Sequence, residues 1–299
     1  MPTRPRSLEE YAAQVDDRLG PLAQRRGLRE YLQGLLLPRD RHKTLTGLVG
    51  TEPVVGAQAP AVQRLQFFLS ESPRDAEAVN RRRLELVVAD PATAPHEDGV
   101  LVIDDGGDRQ AGTKTARVAR QYLGSIGKLD GGIVAVTSLW ADERVYYPLH
   151  VKPYTPATRL PKGKADPDFR TKPRLAAELV DAALDAGFTF RAVVADCFYG
   201  ENATFEGALA GAGLPFVLAL KPSSGIWAPA EALHTPAEAA RELRWNGPED
   251  PGDWTPVVRR RPGTWQPLGH GPERRPPMRR RSPRPIWRRS SGCTACGTG

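Results

Sequence analysis

The sequence predicts an α/β fold, a mixed sheet with flanking helices, and three observations carry that expectation. Two short apolar runs of strand length, Val100-Leu101-Val102-Ile103 and Ala192-Val193-Val194-Ala195, each stop at an aspartate, Asp104 and Asp196. Amphipathic helical text lies between and after them, as a sheet covered by helices requires. Ahead of them, residues 7–90 carry helical spacing without a strand-like alternation. The core is thus preceded by a helical region.

Within that first region, Leu28, Tyr31, Leu32, Leu35 and Leu36 recur at helical spacing in a segment from Leu22 to Leu37 that Pro38 closes. A second helix is expected over Ala61 to Leu69, with Leu65, Phe68 and Leu69 on one face. A third enters through Ser72-Pro73-Arg74-Asp75 and runs to about Val88. Arg81-Arg82-Arg83 falls inside it and reads as a solvated helix face before it reads as a DNA contact. Residues 91–99 are a linker by composition.

The core follows in a definite order. Val100–Ile103 is a strand; Gly131 to Trp140 and Arg144 to Val151 are two more, joined by the turn Ala141-Asp142-Glu143. A Pro- and Lys-containing loop covers residues 155–171. Leu175 to Ala186 is an amphipathic helix with Leu175, Leu179, Ala182, Ala183 and Ala186 inward and Gly187 as its stop. A strand over Phe190–Ala195, a helix over Glu201–Ala212 and a strand over Pro215–Leu220 complete the pattern. Three leading strands followed by two helical crossovers are the layout of an RNase H-like fold. In that layout the first and fourth strands lie side by side, which places Asp104 beside Asp196.

The chain has 299 residues, 26% of them charged and 40% hydrophobic, ordinary values for a globular protein. Its net charge of +7 is uneven. Residues 260–299 hold ten Arg and one acid, a balance of +9, which leaves −2 for residues 1–259. The basicity therefore says little about nucleic-acid binding by the folded body. The same forty residues hold seven Pro and six Gly but few large apolar side chains, so a disordered tail is expected. Domain limits follow: 1–98 helical and a candidate DNA-binding region, 99–258 the core, 259–299 the tail. Three cysteines, no apolar leader and no run near the roughly 18 residues of a membrane span point to the cytoplasm and away from a membrane. Cys293-Thr294-Ala295-Cys296 has no second ligand pair nearby and is read as chance in a biased tail.

Paired carboxylates at adjacent strand ends suit the chemistry of phosphodiester cleavage, in which hard divalent ions activate the nucleophile and stabilise the leaving oxygen. Asp104 is the candidate bridging ligand and Asp196 the second; either alone reads as a turn cap. Asp105 is expected to face the other side of the strand. Lys114, Arg117, Arg120 and Lys128 flank the first aspartate, and Lys162, Lys164, Arg170, Lys172 and Arg174 form a basic loop ahead of a helix. From these, Lys114, Arg120 and Lys172 are the candidate DNA contacts.

At these residues the chain resembles insertion-sequence transposases of the DDE (Asp-Asp-Glu) superfamily. The likeness spans roughly residues 15–222. It is carried by Arg29-Glu30-Tyr31-Leu32-Gln33-Gly34-Leu35-Leu36, by Val100 through Gly107, and by Gly112-Thr113-Lys114 through Arg120-Gln121-Tyr122-Leu123-Gly124 and Gly127. Phe169-Arg170-Thr171-Lys172-Pro173 and Ala195-Asp196-Cys197-Phe198-Tyr199-Gly200 complete it. The resemblance implies metal-dependent DNA cleavage and strand transfer at element ends. Asp104 and Asp196 are then the first two triad members and Mg²⁺ or Mn²⁺ the cofactor. The implied partners are double-stranded DNA, as element ends and target, and a second copy of the chain.

Two departures stand out: Asp105 where the family usually has Glu, and Cys197 where an acid is common. The third acid has no assignment. Glu238 and Glu242 precede its expected position, and Glu273 sits in the tail. The change of text after Arg260 is what a GC-rich gene gives when read out of frame. The chain is accordingly read as a truncated or frameshifted member with impaired turnover. A non-catalytic DNA-binding remnant and a stand-alone two-carboxylate nuclease remain the alternatives.

Overall fold

The computed structural model describes residues 8–37, 44–51, 56–112 and 115–221, together with 226–227, 233–234, 244, 246 and 250. Two compact units divide the chain: residues 1–95 with 184–188, and residues 96–183 with 189–299.

The first unit is helical, with α1 (Leu8–Ala13), α2 (Leu22–Leu36), α3 (Leu45–Val49), α4 (Pro60–Ser70) and α5 (Ala76–Ala89). Side-chain caps set two of the starts. Thr44 Oγ1 accepts from Gly47 N at 3.1 Å ahead of α3, and Asp75 Oδ1 accepts from Ala78 N at 2.9 Å ahead of α5. Leu48, Leu65 and Phe68 form the buried centre, with Leu28, Tyr31 and Leu35 of α2 packed against it. Arg29 ties α2 to what precedes it, meeting Glu9 at 2.7 Å and Asp16 at 2.8 Å. The basic triplet in α5 is partly spent inside this unit. Arg82 donates to the Gln14 carbonyl at 2.9 Å and pairs with Glu85, while Arg83 donates to Asn80 Oδ1.

The second unit is built on a six-stranded mixed sheet. Its strands are β1 (Val100–Arg109), β2 (Ala119–Leu123), β3 (Lys128–Ala141), β4 (Tyr146–Pro153), β5 (Ala192–Ala195) and β6 (Phe216–Leu218). The path runs β2-β3-β1-β5-β6, with β4 pairing the outer side of β3. β1 is antiparallel to β3 and parallel to β5, and β5 is parallel to β6. The first aspartate-bearing strand and the second are thus neighbours, as the RNase H-like layout requires. Short two-residue strands β7 (Ile226–Trp227) and β8 (Leu233–His234) pair antiparallel.

Side-chain alternation gives the sheet two unequal faces. Leu101, Ile103, Val134, Val136, Trp140, Val193 and Ala195 are buried on one face. The residues between them, Val102, Ile133, Ala135, Thr137, Leu139 and Val194, are only half-buried. Helix α6 (Lys172–Asp185) covers the first face with Leu175, Ala176, Leu179, Val180 and Ala183. Trp140 anchors the far end: its Nε1 donates to the Thr189 carbonyl at 2.9 Å, and Tyr147 stacks on its ring at 5.4 Å.

Two features differ from the sequence expectation. β1 does not end at Asp104; it continues six residues further, antiparallel to β3, through a polar stretch that lacks an apolar signature. β2 is an added short strand pairing the start of β3. None of the described helices is long and apolar enough to cross a membrane.

Candidate active site

The site arises where β1 outruns β5. Parallel pairing of the two strands ends at Ile103↔Ala195, so Asp104 and Asp196 are the next residues on adjacent chains, which run about 4.8 Å apart. Both follow a buried residue and therefore turn to the half-buried face. Asp196 ends β5 by capping the short helix α7 (Cys197–Gly200), its Oδ1 accepting from Phe198 N at 3.0 Å. Asp104 Oδ1 accepts from Asp105 N at 2.7 Å, and Thr137 Oγ1 donates to the Asp104 carbonyl at 3.2 Å.

Electrostatics make the pair expectant of a cation. The Asp104 carboxyl is pushed up from its ordinary value, first by lost hydration; the Asp105 N–H opposes this, and the charges of Asp196 and Asp105 add to it. A divalent cation would relieve the repulsion, and carboxylate oxygens are the donors a hard cation prefers. The donor chemistry therefore fits such an ion. Among the described residues, no group of three His, Cys, Asp or Glu side chains is gathered as a metal cluster. Asp104 and Asp196 thus form a half-site. Glu238, Glu242, Glu273 and the Cys293–Cys296 pair lie outside the described residues.

Asp105 faces the opposite way, as alternation requires, and ion-pairs with Lys172 at the start of α6. The Lys172 ammonium also lies over the Tyr154 ring at 5.8 Å and the Phe198 ring at 5.3 Å. One turn further along α6, Glu178 is shared by Lys152 at 2.6 Å, Arg170 at 3.4 Å and Arg174 at 3.8 Å. Three cations around one carboxylate leave a local positive excess.

The structure separates the remaining candidates. Arg120 is exposed on β2 opposite Gly131, six residues along β3 from the Thr137 partner of Asp104, or about 20 Å. Lys114 lies outside the described residues. Sequence reading missed Lys221, which lies just past β6 and ion-pairs with Glu201. Its ammonium is pushed up first by Glu201, with smaller effects from Cys197 and Asp196. Its place beyond a parallel strand's carboxyl end was the available signal, since ligands of open α/β sheets gather there.

A family model of the DDE superfamily endonucleases matches residues 14–284. The chain belongs to this family. The match runs past Arg260 into the Arg-, Pro- and Gly-rich segment. A curated relative described as a probable transposase for insertion sequence element IS701, from Microchaete diplosiphon, is 39% identical over 184 residues. That alignment covers 61% of this chain and 45% of the relative, so the chain matches less than half of the relative's length. DDE superfamily endonucleases use divalent metal ions, in keeping with the donor chemistry of the aspartate pair.

Proposed function

We propose that this chain acts on double-stranded DNA as a DDE transposase, cleaving at insertion-sequence ends and transferring strands to a target, with Asp104 and Asp196 holding Mg²⁺ or Mn²⁺. The observation that carries the reading is the side-by-side placement of the two aspartates at the last rung of the β1–β5 pairing. When bound, the metal supplies activation of the attacking oxygen and charge stabilisation on the leaving one. The chain's own residues do the rest. Asp196 is held by its cap to Phe198 and Asp104 by the Asp105 N–H, so both present their remaining lone pairs in fixed directions. Lys172 and the excess charge around Glu178 are placed to meet phosphates near the cleavage point, while Arg120 and Lys114 would meet DNA further along. The reading puts this work in the cytoplasm, by copies of the chain acting together.

A second reading, a non-catalytic DNA-binding remnant, is favoured by one observation: only two carboxylates are paired for metal among the described residues. A ligand missing from a two-metal site costs several kcal/mol of transition-state stabilisation, enough to remove most turnover. Supercoiled-plasmid nicking with Mg²⁺ or Mn²⁺ separates the readings. Nicking that Asp104→Ala and Asp196→Ala each abolish supports the nuclease. Retarded migration of element-end DNA without nicking supports the remnant, and neither outcome would leave both readings without support.

A further inference from the structure

Tyr199 is the least accounted-for polar group near the aspartates. Its ring is fully buried, edge-on to Phe198 at 5.1 Å and tilted against Phe205 at 5.6 Å. Its phenol oxygen is buried and has no hydrogen-bond partner among the described residues. A buried donor left idle is costly, so such groups in native proteins have an acceptor. The acceptor is not hard to find. Asp105 gives Oδ2 to Lys172, while its Oδ1 has no hydrogen bond to a described residue. The phenol is held in its protonated form first by burial and then by the charges of Asp105, Asp196 and Asp104, with Asp105 acting most strongly of the three.

We infer that Tyr199 is a positioning residue whose phenol donates to Asp105 Oδ1, closing a Lys172–Asp105–Tyr199 clamp beneath the metal half-site. The consequence reaches the chemistry through one bond. Asp105 N donates to Asp104 Oδ1, so a clamp that fixes Asp105 fixes the direction in which Asp104 offers its other oxygen. The ring cannot easily drift from this role, because α7 sits hard on β6: a Cβ on Gly200 would lie 2.1 Å from the Ala219 carbonyl oxygen. Outer hydrogen bonds of this kind orient ligands, and their loss weakens metal binding about tenfold or more. The metal consequence rests on the proposed function; the clamp itself does not.

Tyr199→Phe removes one oxygen and keeps the ring. Thermal unfolding of the metal-free protein is measured for wild type, Tyr199→Phe, Asp105→Ala and the double variant. The clamp predicts a lower midpoint for Tyr199→Phe in the wild-type background and no further drop in the Asp105→Ala background. A midpoint that is unchanged or raised, or that falls equally in both backgrounds, overturns the clamp. Mn²⁺ binding followed by electron paramagnetic resonance then reads positioning: Tyr199→Phe weakens it about tenfold, and unchanged affinity overturns the positioning role. If wild type binds no Mn²⁺, the metal reading falls while the unfolding cycle still decides the clamp.

Discussion

Gly200→Ala tests how tightly the fold holds the second aspartate. The glycine closes α7, four residues after Asp196, and its backbone N donates to the Asp196 carbonyl at 3.0 Å. An added Cβ would lie 2.1 Å from the Ala219 oxygen, 3.1 Å from the Ala219 carbon and 3.2 Å from Leu218 Cβ. The first distance is 1.3 Å short of the 3.4 Å at which ordinary contact begins. Two of the three obstacles are backbone at the end of β6, tied to β5 through Ala219 N and the Ala195 carbonyl at 3.0 Å, so they cannot swing aside as a side chain would. The helix must move instead, carrying Asp196 with it. Overpacking of this kind costs about 1–3 kcal/mol of stability. A displacement of about 1 Å at a reacting group costs about 100-fold in rate. Urea unfolding at 25 °C gives the first quantity and metal-dependent plasmid nicking the second. An unfolding free energy equal to wild type, with nicking within twofold, would refute the argument that α7 is seated on β6 by the missing side chain.

Two further outcomes follow from the titrating groups. The Asp104 carboxyl is raised in the fold, so its ionisation opposes folding. That penalty is absent below the unfolded aspartate value and complete above the folded one. Asp104→Asn is therefore expected to stabilise the metal-free protein at pH 7 by about 1 kcal/mol, a figure already reduced for solvent screening. The gain should disappear as pH falls below the ordinary aspartate range, and loss of stability at pH 7 would contradict it. Asp142 behaves oppositely. Backbone N–H groups of Val145 and Arg144, both at 2.6 Å, and His96 at 3.0 Å hold its carboxyl well below the usual range, the Val145 bond contributing most. Its stabilisation is present above the unfolded value and is lost as pH falls through the folded one. Asp142→Ala should cost about 2–3 kcal/mol at pH 7, and the gap from wild type should narrow below about pH 4 in acid unfolding curves.

The parts of the fold legible in the sequence were those written in one element's own text. The apolar runs ending at Asp104 and Asp196, the inward face of α6 and the helix entry at Asp75 needed only local periodicity and caps. The far half of β1 was hidden because its residues Asp104 to Arg109 are polar or glycine and gain strand structure from pairing with β3. β2 was hidden for a related reason: five residues carry too short a pattern to declare themselves. In the site, Asp104 beside Asp196 followed from topology. Lys172 on Asp105 joins residues 67 apart in sequence, and three cations on Glu178 come from a strand, a loop and a helix. No local pattern specifies such convergence.

The central claim is that Asp104 and Asp196 jointly hold a divalent ion at the end of the β1–β5 pairing. Replacing that ion with Fe²⁺ and adding ascorbate and peroxide generates radicals that cut the polypeptide next to the bound metal. The account predicts two cuts, close to residues 104 and 196, suppressed by excess Mg²⁺ and absent from Asp104→Asn. Cuts confined to other segments, or cuts at these positions that survive Asp104→Asn, would contradict it.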